Sequence, residues 1–167
     1  MDKIFGLVLL VLVGGSALLA MLATIALLFP SQVERTREVI ATSFLRSFLL
    51  GLVNFLFFGA IAALLVKLGQ GAGGPVAAAL TLLALLLLLA LTIFSVLGLA
   101  ALTSLLGERI GGGTSPFRRH LRGGLALVLA CLTPYIGWFI FTPLVVITSL
   151  GAAILALFQK KPKVAAE

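Results

Sequence analysis

The chain is dominated by four long apolar runs separated by short polar segments. The runs cover residues 4–29, 48–66, 76–106 and 125–158, and no charged residue lies inside any of them. An α-helix needs ~20 apolar residues to cross ~30 Å of hydrocarbon, and each run reaches about that length or exceeds it. The pattern therefore predicts an all-α integral membrane protein, with residues 1–167 forming a single membrane domain.

The segment after the first run has a different periodicity. Pro30 ends the first helix, because proline cannot continue a helix and restricts the residue before it. Ser31 and Glu34 have the spacing of a capping box, and apolar residues then recur on one side of a helix, interrupted by Arg37. We expect a short amphipathic helix over about 31–46 at the membrane surface, a plain polar connector being the alternative.

The last apolar run is too long for one straight helix. Its 34 residues would measure ~51 Å at 1.5 Å per residue, and Pro134 interrupts them. We predict a break near Thr133–Gly137. The transmembrane spans are then expected at about 4–29, 48–66, 76–106, 117–133 and 138–158. The alternative is four crossings, with the last helix kinked or re-entrant.

The basic residues favour five crossings. The chain carries 12 Lys+Arg and 5 Asp+Glu, a net charge of +7. Four crossings place the seven arginines on one face and the five lysines on the other. Five crossings move the three C-terminal lysines to the arginine face, which then carries ten basic residues while the other face carries two. The positive-inside rule favours this unequal distribution. We expect a bacterial inner (cytoplasmic) membrane protein with its N-terminus outside and its C-terminus in the cytoplasm.

The composition excludes a soluble domain and argues against nucleic acid as a partner. Hydrophobic residues make up 62% of the chain and charged residues 10%, whereas soluble domains are about a quarter charged. Anionic lipid headgroups account for the basic excess, so nucleic acid is not an expected partner. The expected headgroup-binding residues are Arg35, Arg46, Arg109, Arg118, Arg119 and Arg122. Tyr135 and Trp138, at the predicted break, are expected to anchor the chain at the membrane interface.

The sequence offers little for catalysis. The acidic residues all lie outside the apolar runs, and a proton path through a membrane is normally marked by ionisable residues inside the spans. His120 lies among arginines, whose charges should disfavour its protonation. Cys131 is the single cysteine, and no CxxC motif is present. We expect no enzyme activity, no catalytic residue, no cofactor and no metal. The first run, at 26 residues, is too long for a signal peptide and is expected to be a retained transmembrane helix.

Small and polar residues inside the spans predict helix packing. Gly59 and Ala63, and likewise Ser149 and Ala153, are four residues apart, a spacing that lets helices approach closely. Asn54 is the most polar group in a span. It is expected to form a helix–helix hydrogen bond, with a place in the lining of a small pore as the alternative.

Three segments between Arg46 and Phe158 are similar to the membrane region of bacterial bactofilin-like polymer-forming proteins and their small stand-alone relatives. They are RSFLLG at 46–51, the Leu/Ala-rich helix ending in LLGER at 105–109, and PYIGW at 134–138 before a Gly/Leu-rich last helix. The resemblance implies a bacterial helical membrane module with a non-enzymatic role, and it assigns no functional residues.

Two functions are therefore expected, in order of preference. The first is a structural or assembly accessory subunit that packs against a larger membrane complex, for example a photosynthetic or respiratory one. The alternative is a homo-oligomeric pore or small-solute transporter that uses Asn54 and the threonines and serines of the third helix.

Overall fold

The computed structural model describes residues 2–111, 115–133 and 135–158. In this part of the chain the secondary structure is entirely helical, which confirms the predicted all-α class. The elements are α1 (Asp2–Leu28), α2 (Pro30–Thr42), α3 (Phe44–Ala72), α4 (Gly74–Arg109), α5 (Pro116–Leu132), and a π-helical segment (Gly137–Phe141) that continues into α6 (Thr142–Phe158).

Three of the described helical stretches are long and apolar enough to cross a membrane. They are α3, α4 and the continuous stretch Gly137–Phe158. A fourth is counted if Leu12–Leu28 and α2, which meet at 105°, form one bent span. By length and composition the chain is thus compatible with a multi-pass membrane protein. Helix α5, with 17 residues, is not among these stretches.

Helix α2 begins one residue earlier than the sequence pattern predicts. Pro30 is in the first turn, Phe29 is the N-cap residue, and no side chain caps the helix, so the expected capping box of Ser31 and Glu34 is wrong. Proline suits this position because its fixed φ fits the first turn and its missing N–H would be unpaired there anyway. The helix ends at Thr42, short of the expected 46. Its buried face, which includes Val39, packs against α4 and α6.

Helices α3 and α4 form an antiparallel hairpin joined by a single residue. Gly73 has φ +65° and Gly74 has φ +58°, values that an L side chain rarely adopts, so glycine allows the chain to reverse between two helices. Gly69 of α3 faces the start of α4, and further along the hairpin Ala62 and Ala84 are buried. Helix α4 has 36 residues and is ~54 Å long.

The predicted break in the last apolar run lies between α5 and α6. Helix α5 ends at Leu132, and Tyr135 has φ +66°, a left-handed conformation that is unusual for a residue with a side chain. Gly137 then packs directly on the backbone carbonyls of Ala130 and Cys131. The chain therefore turns sharply, and the π-helical segment starts against the last turn of α5.

Helix α6 lies in the middle of the bundle. It is buried continuously from Thr148 to Ala153, and Leu150 has no exposed surface. Its backbone touches α3 where Gly51 meets Gly151, and touches α4 where Gly98 meets Ser149. Small residues at these crossings let the helices approach until backbones touch, which is how helices associate where lipid replaces water.

Candidate functional site

A cavity of about 370 Å³ lies where α1, α2, α4 and α5 meet. One part of its wall is apolar and comes from α1 and the first turns of α2. The other part is polar and comes from α2, α4 and α5. The lining residues are Ala23, Ala26, Leu27, Pro30 and Val33 on the apolar part, and Glu34, Ser104, Arg119 and His120 on the polar part.

Two local features of the sequence assemble this cavity. The bend at Phe29–Pro30 turns the chain through 105°, so that α2 lies across the end of α1. Helix α5 runs antiparallel to α4 at backbone contact, because Gly107 lies against the carbonyl of Arg119 and Gly123 against the carbonyl of Thr103. This close approach brings the first turns of α5 opposite Ser104.

Three polar groups on the cavity wall are buried without a hydrogen-bond partner among the residues that the structure describes. They are Ser104 Oγ, Arg119 Nε and His120 Nδ1. Ser104 is 1% exposed. Buried polar groups in folded proteins are nearly always paired, so three residues with an unpaired buried atom around one cavity are unusual.

The charges around the cavity are partly balanced by ion pairs. Arg37 donates hydrogen bonds to the carboxylates of Glu34, one turn before it on α2, and Glu108, at the end of α4. The Glu34 carboxylate on the cavity wall is thus bound by the guanidinium of Arg37, which is not part of the cavity lining. Arg119 makes no ion pair with the described residues.

The pKa of His120 is lowered from its ordinary value. The main cause is burial of the imidazole, the charge of Arg119 adds to it, and Glu34 opposes both. The predicted direction is confirmed, although burial outweighs the arginine charge that the sequence emphasised. The neutral ring carries one N–H and one acceptor nitrogen, so His120 can either donate or accept a hydrogen bond towards the cavity.

The structure brings one of the six expected headgroup-binding arginines into this site. Arg119 lines the cavity, whereas Arg122 donates a 2.8 Å hydrogen bond to the carbonyl of Gly111. The other four lie on the surface: Arg46, Arg109 and Arg118 are exposed, and Arg35 is half-buried. Tyr135 and Trp138 are exposed on the outside of the break.

The expected packing residues fall into two groups. Ser149 and Ala153 are buried in the bundle. Gly59 has open space where a Cβ would project, and Ala63 is exposed beside it. Asn54 bonds within its own helix, since its Nδ2 donates a 2.8 Å hydrogen bond to the carbonyl of Leu50.

Asn54 also lines a cleft of about 300 Å³ between α3, α4 and α6. Its other lining residues are all apolar: Phe58, Leu87, Ala90, Leu91, Phe94, Ile154, Leu157 and Phe158.

Sequence reasoning missed Ser104 and the Arg37 ion pairs. Ser104 is one of several hydroxyl residues in a long apolar helix, and no sequence signal separates it from Thr92 or Ser95. Arg37 did carry a signal, because it interrupts the apolar stripe of α2. In the structure this arginine is the residue that ties α2 to α4 through Glu108.

The described residues contain no group of three or more His, Cys, Asp or Glu side chains that could hold a metal ion. No family model matches the chain, and no curated protein or solved structure matches it either.

Proposed function

We propose that this chain is a non-enzymatic integral membrane protein that acts as a structural or assembly subunit. Its partners are other membrane-protein subunits of a larger complex, such as a photosynthetic or respiratory one. The observation that carries the proposal is a small-residue face on α3, formed by Gly59 and Ala63. Nothing lies within 4 Å of the position that a Cβ at Gly59 would take, Ala63 is exposed, and α4 borders this face only across a groove, at Leu88.

The helix contacts inside the bundle show what such a face can do. Where α6 crosses α3 and α4, glycine or serine lets two backbones meet directly, as Gly51 does with Gly151. Gly59 and Ala63 offer the same small surface, one helical turn apart, beside a groove of about 440 Å³ that also contains Val66 and Leu88. A transmembrane helix of another subunit could pack there at the same close distance.

Bulky residues on this face are expected to abolish assembly. Native mass measurement of gently solubilised wild type should give a complex heavier than the 17.4 kDa chain. Gly59→Ile combined with Ala63→Ile should release the chain as a monomer, because branched side chains would hold the partner helix away. Leu68→Ile, at an exposed position on the opposite side of the same helix, is the matched control and should leave the complex intact. A wild-type chain that is a monomer without co-purifying protein would contradict the proposal.

We also propose a bacterial inner-membrane location with five crossings, the N-terminus outside and the C-terminus cytoplasmic. The distribution of basic residues supports it, because five crossings place ten of them on one face and two on the other. The direction of α6 favours the four-crossing alternative, because α6 runs parallel to α3, with Gly151 against Gly51 and Phe158 beside Phe58. Helix α5 is ~26 Å long, so its Arg118–Arg122 segment would lie at the headgroup level.

Single-cysteine labelling tests this orientation. In a Cys131→Ala background, Gln70→Cys at the tip of the α3–α4 hairpin should react with a membrane-impermeant maleimide added to intact cells. Lys160→Cys should react only after permeabilisation. Labelling of both positions from outside would instead establish the four-crossing arrangement.

A further inference from the structure

We propose that the cavity between α1, α2, α4 and α5 binds the phosphate group of a phospholipid, held by Ser104, Arg119 and His120. This inference rests on the proposed membrane location, but not on the proposed assembly role. It differs from general attraction between surface arginines and headgroups, because the ligand would enter the fold.

The polar wall of the cavity matches an oxyanion. Ser104, Arg119 and His120 line the cavity, and each has a buried polar side-chain atom without a partner among the described residues. Phosphate oxygens accept several hydrogen bonds at once, and bonds from a guanidinium to phosphate are among the strong ones. One ligand can therefore satisfy all three groups, which otherwise remain buried and unpaired.

The cavity wall carries one carboxylate, Glu34, and one guanidinium, Arg119, and of these only the carboxylate has an ionic partner among the described residues. Glu34 lines the cavity, but its carboxylate accepts a hydrogen bond from Arg37. Arg37 is bound in turn to Glu108, so these two acids share one cation outside the cavity. Arg119 is left as the cation on the cavity wall, free to bind a negative group.

The apolar wall identifies the phosphate as part of a lipid. Ala23, Ala26 and Leu27 come from the end of α1, an apolar helix whose outer side chains are widely exposed. A free phosphate ion gains nothing from such a wall. The glycerol and the first carbons of an acyl chain would cover it, while the phosphate lies at the basic end of the helices, where headgroups are expected.

Adjacent arginines on α5 provide a matched test. The full chain would be purified in mild detergent, loaded into nanodiscs of phosphatidylglycerol or phosphatidylethanolamine, released, and examined for retained lipid by native mass spectrometry. Wild type and Arg118→Gln, which changes an exposed arginine, should each retain one phospholipid of either kind. Arg119→Gln should bind about tenfold more weakly or worse, since it removes a charged donor.

Ser104→Ala keeps the result interpretable if Arg119→Gln unfolds the protein. It removes one hydroxyl and little volume, so the helical circular dichroism should be unchanged while lipid retention falls. Titration with inorganic phosphate identifies the source of the anion and should show no binding that depends on Arg119.

Three results would overturn the proposal. They are wild type without retained lipid, equal loss in Arg118→Gln and Arg119→Gln, and Arg119-dependent binding of inorganic phosphate without phospholipid. Failure of the assembly role would appear differently, as a monomer that still carries its lipid.

Discussion

Gly51→Ala is expected to destabilise the bundle by about 3 kcal/mol, the upper part of the range for overpacked sites. A Cβ at Gly51 would lie 1.9 Å from the carbonyl oxygen of Ile147 and 2.9 Å from the amide nitrogen of Gly151. Both atoms belong to the backbone, so no side chain can rotate away to make room. Helix α6 would have to move outwards along its whole contact with α3, and the contacts around Leu150 would open with it.

The matched control for this substitution is Gly14→Ala. Gly14 also lies in a long apolar helix, but nothing is within 4 Å of the position that its Cβ would take. Alanine there should be neutral or stabilising by up to about 1 kcal/mol, because glycine is a poor helix former. Unfolding of each variant in mild detergent, followed by circular dichroism against added SDS, measures the difference. Equal midpoints for the two alanine variants would refute backbone contact at Gly51.

Arg37→Gln is expected to have the next largest effect, about 1–2 kcal/mol of lost stability. The Arg37 side chain is 18% exposed, whereas its partners Glu34 and Glu108 are 44% and 52% exposed. Solvent at the two carboxylates screens the attraction, which keeps the estimate well below that of a fully buried pair. The loss should fall on the contact between α2 and α4, since Glu108 is the part of this network that joins the two helices.

A double-mutant cycle separates the pair from the rest of the substitution. Glu108→Gln and the double variant would be unfolded under the same conditions, and the coupling between Arg37 and Glu108 should be about 0.5–1 kcal/mol. It should shrink in high salt, because partly exposed pairs are screened. Arg35→Gln, on the same helix, is the control and should change stability by less than Arg37→Gln. A coupling near zero would mean that α2 is held to α4 by apolar contacts alone.

The helical class and the break after Leu132 could be predicted because they depend on local properties. Run length and missing charge specify apolar helices, and Pro134 with Gly137 indicates where the last one is interrupted. The side of each helix that packs against its neighbours could not be predicted in the same way. Helix α4 is apolar all round, so periodicity says nothing about which side meets α3, α5 or α6.

The candidate site was only partly visible in the sequence for a similar reason. Arg119 belongs to a basic cluster that any count of charge finds, but Arg118 and Arg122 belong to it equally. Arg119 differs from these two arginines in its backbone contact. The carbonyl of Arg119 lies against Gly107, and this contact places Arg119 opposite Ser104. That contact joins residues from two helices, and a spacing rule within one helix cannot find it.

The backbone contacts of α6 and α5 also determine at how many positions this fold requires a particular type of residue. Where two main chains touch, only glycine or a similarly small residue is acceptable, whereas an outward-facing leucine such as Leu85 or Leu89 can be exchanged for any residue that lipid tolerates. Two chains could therefore share this architecture and differ at most of their apolar positions. Their common signature would be a few small residues at fixed separations, such as positions 51, 98 and 151, and a search for distant relatives should give those positions the greatest weight.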